Sequence, residues 1–465
     1  MEDSPSRQFV PQAPTPSSPH ALVDSLFHLS AHNTTVAREC VGGATTFVTL
    51  SYIIFVQPAV LATTGMDPGA VMTATCLSSA LATLLMGLWA NYPLAVAPAM
   101  GHNFYFALIV AGPLASGGLG YAWPVALGAN CVAGILFLLL SLLGVREKLL
   151  AAIPPSLTHA IAAGIGLLIA LVGFEWAGLV QAASGTFVTL GNLHASATLI
   201  AVAGTLLTAI LVARGNRAAI LLGTLSTAAL LVWSGNASFH GWVAAPPSLL
   251  PTFAKLDVSA ALRPDLAAVI FILFFLGLFD TIGTLVGVTE QAGLLEDGKL
   301  SRARQAMATD AVGTIVGTML GTSTLTAYVE SAAGVQAGAR TGLANVTTSA
   351  LFLAALFFSP LVRLAGEGVR IGSSTLYPIV APALITVGSF MLRSVREVRF
   401  DDPPAAFASF VTVVTMPFAF SITDGIALGF ITYAILMLAV GRGREVHPLL
   451  YAFAALFVLR YALLR

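Results

Sequence analysis

Two carboxylates stand where carboxylates are costly. Asp280 lies in the apolar run Phe271–Val288, with Phe274, Phe275, Leu278 and Phe279 before it and Ile282, Leu285 and Val286 after it. Glu330 lies within Thr324–Ala333, and neither stretch contains a basic residue. An ionised carboxylate in such surroundings must be protonated, paired or bound to a ligand. Two of them in an otherwise neutral site suit a ligand rich in N–H donors, a coupling proton, or both. The alternative role for each is to cap a helix or satisfy a neighbour's backbone. That role is the expectation for Asp424, in Ser421–Gly425, and for Asp310, at the start of a later apolar segment. Glu175, Glu290, Asp401 and Asp402 fall at segment ends or in loops.

A second stretch that can do chemistry is Ala97–Phe106. Pro98 and Gly101 interrupt helical hydrogen bonding there, and the helix that resumes presents N–H donors. Asn103 offers a donor and an acceptor. His102 is of the side-chain type that can titrate near neutral pH, although a lone histidine is more often a satisfied structural residue. Phe104, Tyr105 and Phe106 are either a stacking face or core. The cysteines Cys40, Cys76 and Cys131 lack metal-ligand spacing and are expected as small apolar residues. No metal and no cofactor is expected.

The elements that hold these residues follow from composition. Of 465 residues, 57% are hydrophobic and 9% charged, with net charge zero. Soluble domains carry about 25% charged residues. Apolar runs reach the ~20 residues that span a bilayer core as helix. Ala160–Gly173 and Ala218–Trp233 lack the period-two alternation of a barrel strand. The expected fold is an all-α polytopic membrane protein with fourteen segments, near 41–63, 72–90, 94–111, 121–144, 158–175, 196–213, 217–235, 266–289, 307–321, 325–337, 342–362, 378–392, 407–421 and 425–441. Residues 24–36 and 447–463 read as amphipathic helices on the membrane surface, with a further short span as the alternative for 447–463. Residues 1–23 read as a disordered cytoplasmic tail. Arg146, Lys148, Arg214, Arg217, Lys299, Arg302, Arg304, Arg340, Arg393, Arg396 and Arg399 fall in loops after even-numbered segments, and only Lys255, Arg263, Arg363 and Arg370 fall in the others. This bias predicts both termini inside, at the inner membrane. Nothing in the charge balance points to nucleic acid.

The chain also repeats itself. Gly87–Gly101 lies about 230 positions before Gly317–Ser331, and each stretch follows an apolar helix carrying small residues, then breaks on Pro, Gly, Ser or Thr. Seven segments per half is odd, so the halves must have opposite topology. Paired interrupted segments in inverted halves mark the midplane site of a transporter. The small-residue series Gly313, Gly317, Gly321 predicts close helix packing.

These residues carry a resemblance. Asn33–Val36, Thr45–Ile53, Leu278–Gly287, Gly321–Val335 and Met416–Gly425 make the chain, from about Leu26 onward, similar to the azaguanine-type (AzgA-like) purine permeases of the nucleobase–cation symporter 2 superfamily. The resemblance implies a seven-plus-seven inverted repeat with short antiparallel strands in segments three and ten. It implies a core domain from residues 24–144 and 266–365, a gate domain from 145–265 and 366–441, and a C-terminal amphipathic helix over 442–465. It implies proton-coupled uptake of adenine, guanine and hypoxanthine, and possible pairing of two copies through the gate. Asp280 and Glu330 take the places of its binding carboxylates and of the proton-coupling groups, and Asn103 that of its segment-three Asn. The candidate substrate-binding set is Asp280, Glu330, Asn103, His102, Phe104, Thr281, Tyr328 and Ser331. The chain departs from the family pattern at Ala99, His102 and Phe104, and has Gln57 where Asn is common. The competing expectation is a transporter of the same fold for uracil, xanthine or an anion, although two acidic residues disfavour an anion. No His-Glu-x-x-His or Gly-x-Ser-x-Gly motif suggests an enzyme.

Overall fold

The structure, a computed structural model, describes residues 19–114, 118–143, 154–183, 186–294, 302–371 and 374–463. With no water in hydrocarbon to pair backbone groups, the chain must be helical nearly everywhere. In order it forms α1 (Pro19–Phe27), α2 (Val36–Leu50), α3 (Ile53–Ala62), α4 (Pro68–Leu85), β1 (Val96–Pro98), α5 (Met100–Phe104), α6 (Trp123–Leu143) and α7 (Pro155–Trp176). The hairpin β2 (Val180–Ala183) and β3 (Phe187–Leu190) leads to α8 (Ser196–Ala213), α9 (Ala219–Trp233) and the single turn α10 (Val258–Ala261). The second half contains α11 (Ala267–Gln291), α12 (Ala303–Leu320), β4 (Leu325–Ala327), α13 (Ser331–Gln336), α14 (Leu343–Ala355) and α15 (Ser359–Gly366). The hairpin β5 (Val369–Ile371) and β6 (Ser374–Leu376) precedes α16 (Ala381–Met391), α17 (Pro403–Phe418), α18 (Ile422–Ala439) and α19 (Pro448–Leu463).

Among the described residues, seven helical runs of 18 to 27 residues are long and apolar enough to cross a bilayer alone, and five apolar helices of 10–17 residues accompany them. The chain is thus an integral, multi-pass membrane protein. Helices α6, α11 and α12 pack together, α14 lies against α2 and α4, and α13 lies against α2. Separately, α7 packs on α16 and α17, α17 on α18, and α8 on α9 and α16.

Two expectations at the termini change. Residues 1–18 of the expected tail lie outside the described residues, but from Pro19 the chain is helical, with Phe27 and Leu29 buried against Leu343. At the other end α19 is no simple surface helix. It buries Leu450, Ala454 and Phe457 in the protein. The Phe453 ring lies 5.1 Å from Phe271 and 5.7 Å from Phe275 of α11, and 6.4 Å from Phe430 of α18. Phe457 also meets Phe430, at 6.3 Å, and the Tyr461 hydroxyl donates to Asp424 at 2.6 Å. One helix therefore touches both α11 and α18.

The two interrupted stretches meet. β1 and β4 pair antiparallel, with Val96 opposite Ala327, Ala97 opposite Thr326 and Pro98 opposite Leu325. Proline and β-branched residues exclude a helix here, yet each freed backbone group still needs a partner. Thr83 supplies one: its hydroxyl donates to the Val96 carbonyl at 3.1 Å and accepts from the Val96 N–H at 2.9 Å. Thr314 does the same for Leu325, at 3.0 Å in both directions. The Ala99 N–H donates to Thr324 and the Tyr328 N–H to Ala95, both at 2.9 Å. Asn345 donates to the carbonyls of Tyr92 and Leu94 at 3.0 and 2.8 Å. The helical runs before the strands, Pro68–Ala90 (α4 continued by a wider turn over Met86–Ala90) and α12, each end on a left-handed residue, Asn91 at φ 50° and Gly321 at φ 106°. The inverted repeat is visible in these equivalent contacts.

Candidate functional site

Asp280 lies in the middle of α11, and its side chain is exposed although Leu278 and Thr281 beside it are buried. Its Oδ2 accepts from the Thr326 hydroxyl at 3.0 Å, so it is docked on the central residue of β4. Thr281 turns the other way and donates to Asp310 Oδ2 at 2.8 Å. The Ala327 N–H donates to the same oxygen at 2.9 Å. Two consecutive residues of α11 are thus tied to two consecutive residues of β4, one directly and one through Asp310.

Glu330 stands at the start of the half-helix α13, half-buried, with Oε1 accepting from the Tyr52 hydroxyl at 2.7 Å. Tyr328 donates from its hydroxyl to the Pro98 carbonyl, bracing β4 on β1. Ser331 accepts from the Ala95 N–H at 3.0 Å. Among the described residues neither Asp280 nor Glu330 has an ion-pair partner; the three ion pairs lie at Arg263–Asp265, Arg442–Asp402 and Arg442–Glu445. No metal-binding group of three or more His, Cys, Asp or Glu occurs among the described residues.

The remaining candidates lie behind this surface. Asn103 is fully buried, donates to Gln57 Oε1 at 2.7 Å, and leaves its Oδ1 without a partner. His102 is buried beside Gly277 of α11. Phe104 is buried with its ring 6.4 Å from Trp176 at the end of α7. The structure therefore brings Asp280, Thr281, Tyr328, Glu330 and Ser331 together around the strand pair, and places Asn103, His102 and Phe104 in the packing beneath it.

Residues 37–428 match the family model Xan_ur_permease, a permease family. The chain belongs to that family.

The permease is 39% identical to the adenine permease AdeP of Escherichia coli, over 97% of this chain and 98% of the relative. It is 40% identical to the guanine/hypoxanthine permease PbuO of Bacillus subtilis, over 94% of this chain and all of the relative. Among solved structures, the transmembrane domain of the cyanobacterial bicarbonate transporter BicA superposes with a TM-score of 0.60 at 15% identity, covering 84% of this chain and 97% of that one. Murine Slc26a9 in its inward-facing state gives 0.61 at 12% identity, covering 93% and 74%. At that identity the likeness is one of fold, the seven-plus-seven inverted repeat. The permease is a membrane transporter of AzgA-like type, not an enzyme.

Sequence patterns missed the roles of four residues of this arrangement. Tyr52, Gln57 and Thr326 are polar groups in apolar or interrupted runs whose partners are distant in the chain; in the sequence Gln57 stands out only as a departure from the family pattern, without a partner. Asp310 is expected as a cap, but α12 begins at Ala303, so Asp310 sits about two turns inside it and is fully buried. Asp424 is likewise not the cap of α18; Ser421 is, with its hydroxyl accepting from the Asp424 N–H.

Proposed function

We propose that the permease takes up purine nucleobases by proton symport through alternating access, with the base held between Asp280 and Glu330 beside the β1–β4 pair. One observation supports this most: both carboxylates lie beside the same strand, Asp280 exposed and Glu330 half-buried, and among the described residues neither has a cationic partner. Each has one oxygen engaged by a hydroxyl of the protein, which leaves Asp280 Oδ1 and Glu330 Oε2 for a ligand. Purine bases offer ring N–H and, in adenine and guanine, exocyclic amine donors. A carboxylate accepting such bonds gains roughly twice the strength of a neutral pair. Thr281, Tyr328 and Ser331 keep the surrounding backbone in register. Relatives that carry adenine, guanine or hypoxanthine in their names support the same substrate class.

In this proposal residues 24–144 and 266–365 form a core that carries the base, and 145–265 and 366–441 form a gate against which the core rocks. Both termini are cytoplasmic, the membrane is the inner membrane, and two copies pair through their gates. The test is accumulation of radiolabelled adenine, guanine and hypoxanthine in cells lacking their own purine carriers, with and without an uncoupler. Purine accumulation that the uncoupler abolishes is expected. Accumulation of uracil or xanthine alone would replace the substrate, and dependence on external sodium with indifference to the uncoupler would replace the coupling ion.

A further inference from the structure

A helix outside the strand pair holds the second interrupted segment at both ends. Tyr52 is the residue before α3, and Gln57 lies in its middle, one residue before Pro58. Both are fully buried. The Tyr52 hydroxyl donates to Glu330 Oε1 at 2.7 Å, just beyond β4. Gln57 Nε2 donates to Thr322 Oγ1 at 2.9 Å and to Ser323 Oγ at 2.8 Å, just before β4. Its Oε1 accepts from Asn103 Nδ2 at 2.7 Å, on the half-helix that follows β1. Thr75 of α4 adds a contact to Thr322, 3.4 Å between hydroxyl oxygens. One buried amide and one buried phenol thus fix the entry and the exit of β4 from the other half of the repeat, and the amide also holds the half-helix that follows β1.

A three-residue strand has little cohesion of its own. Its position, and so the direction of the Glu330 carboxylate, depends on what grips its flanks. We propose that Tyr52 and Gln57 are positioning residues of the permease: they orient Glu330 so that a single carboxylate oxygen faces the base, and thereby set affinity and selectivity among bases while leaving turnover unchanged. This rests on Glu330 being a base-binding residue. A purely structural role would lower the amount of folded protein, or change uptake at saturating base, without acting through Glu330.

The experiment is a double-mutant cycle on purified, reconstituted protein. Adenine, guanine and hypoxanthine affinities and counterflow rates at saturating base would be measured for wild type, Tyr52→Phe, Glu330→Ala and the double variant. Tyr52→Phe removes one oxygen and keeps the packing. It is expected to weaken base binding about tenfold, the size of one hydrogen bond to a charged group, with the saturating rate within about twofold. In the Glu330→Ala background the same change should have no further effect. Gln57→Leu is expected to weaken binding and to broaden selectivity among the three bases. Should that variant fail to fold, the Tyr52–Glu330 cycle still decides. Multiplying effects of Tyr52→Phe and Glu330→Ala would overturn the inference, because Tyr52 would then act elsewhere. Wild-type affinity in Tyr52→Phe with weak binding in Glu330→Ala would overturn it and spare the site. Wild-type affinity in both single variants would remove the site and the inference together.

Discussion

Glu330 and Asp280 make different contacts, and under the proposed function that difference assigns base binding chiefly to Glu330 and proton coupling to Asp280. Glu330 stands where a helix starts, with backbone N–H groups nearby and a phenol on one oxygen. Asp280 stands inside a continuous helix among apolar neighbours. Losing one charged partner of a desolvated bond costs about 2–5 kcal/mol, or about 30-fold in affinity or more. Glu330→Gln is therefore expected to weaken base binding by at least that factor, measured by calorimetry on purified protein. Asp280→Asn cannot take up a proton and is expected to abolish net accumulation while retaining counterflow. Wild-type affinity and accumulation in both variants would exclude both residues from the site. These two carboxylates were legible in the sequence because charge in a long apolar run has few explanations. Tyr52 and Gln57 were not, since their partners lie 278 and 265 residues away. Nor was the burial of Asn103, His102 and Phe104, because their short helix gives no periodic pattern from which an inward face can be read.

At the scale of elements, the two interrupted stretches were recognisable from Pro, Gly, Ser and Thr and from an offset near half the chain. Their pairing entered only through resemblance to a family, because three residues per strand carry too little alternation to fix a register. Backbone proximity does much of the positioning. A Cβ added at Gly342 would lie 2.0 Å from the Gly87 carbonyl oxygen, closer than real Cβ atoms come. Gly342 follows α13 and donates its N–H to Asn91 at 2.7 Å, so this contact joins the approaches to both strands. Gly342→Ala is expected to lower the melting temperature in detergent by about 2 °C or more, the response of a chain of this size to a core defect of about 2 kcal/mol. An unchanged melting temperature would show that the helices part at little cost there.

The proposed alternating access requires the whole molecule to move, and α19 is where that movement can be tested. It meets α11 through Phe453 and α18 through Phe457. If α11 and α18 belong to units that shift against each other, a disulfide between cysteines at 453 and 271 should stop uptake until reductant is added. One between cysteines at 457 and 430 should not. The exposed native Cys40 would first be replaced. Equal behaviour of the two tethers would argue that α19 does not cross a moving boundary. Membrane residence was legible from composition alone, whereas the contacts of α19 were not, because an aromatic face on a terminal helix fits lipid and protein equally well. The strand pair, finally, has a consequence for how the protein is made. Ala327 follows Val96 by 231 residues, which at about 5–20 residues per second leaves roughly 10–50 s between the synthesis of the two. Through that interval the first half sits in the translocon or the bilayer without the partners of Ala95 and Ala99. Thr83, made 13 residues earlier, is already there to occupy both polar groups of Val96. Thr314 has no such wait to cover, since β1 precedes it. Thr83→Val is therefore expected to reduce the yield of inserted protein more than Thr314→Val does, at matched loss of melting temperature, as read by pulse-chase in growing cells.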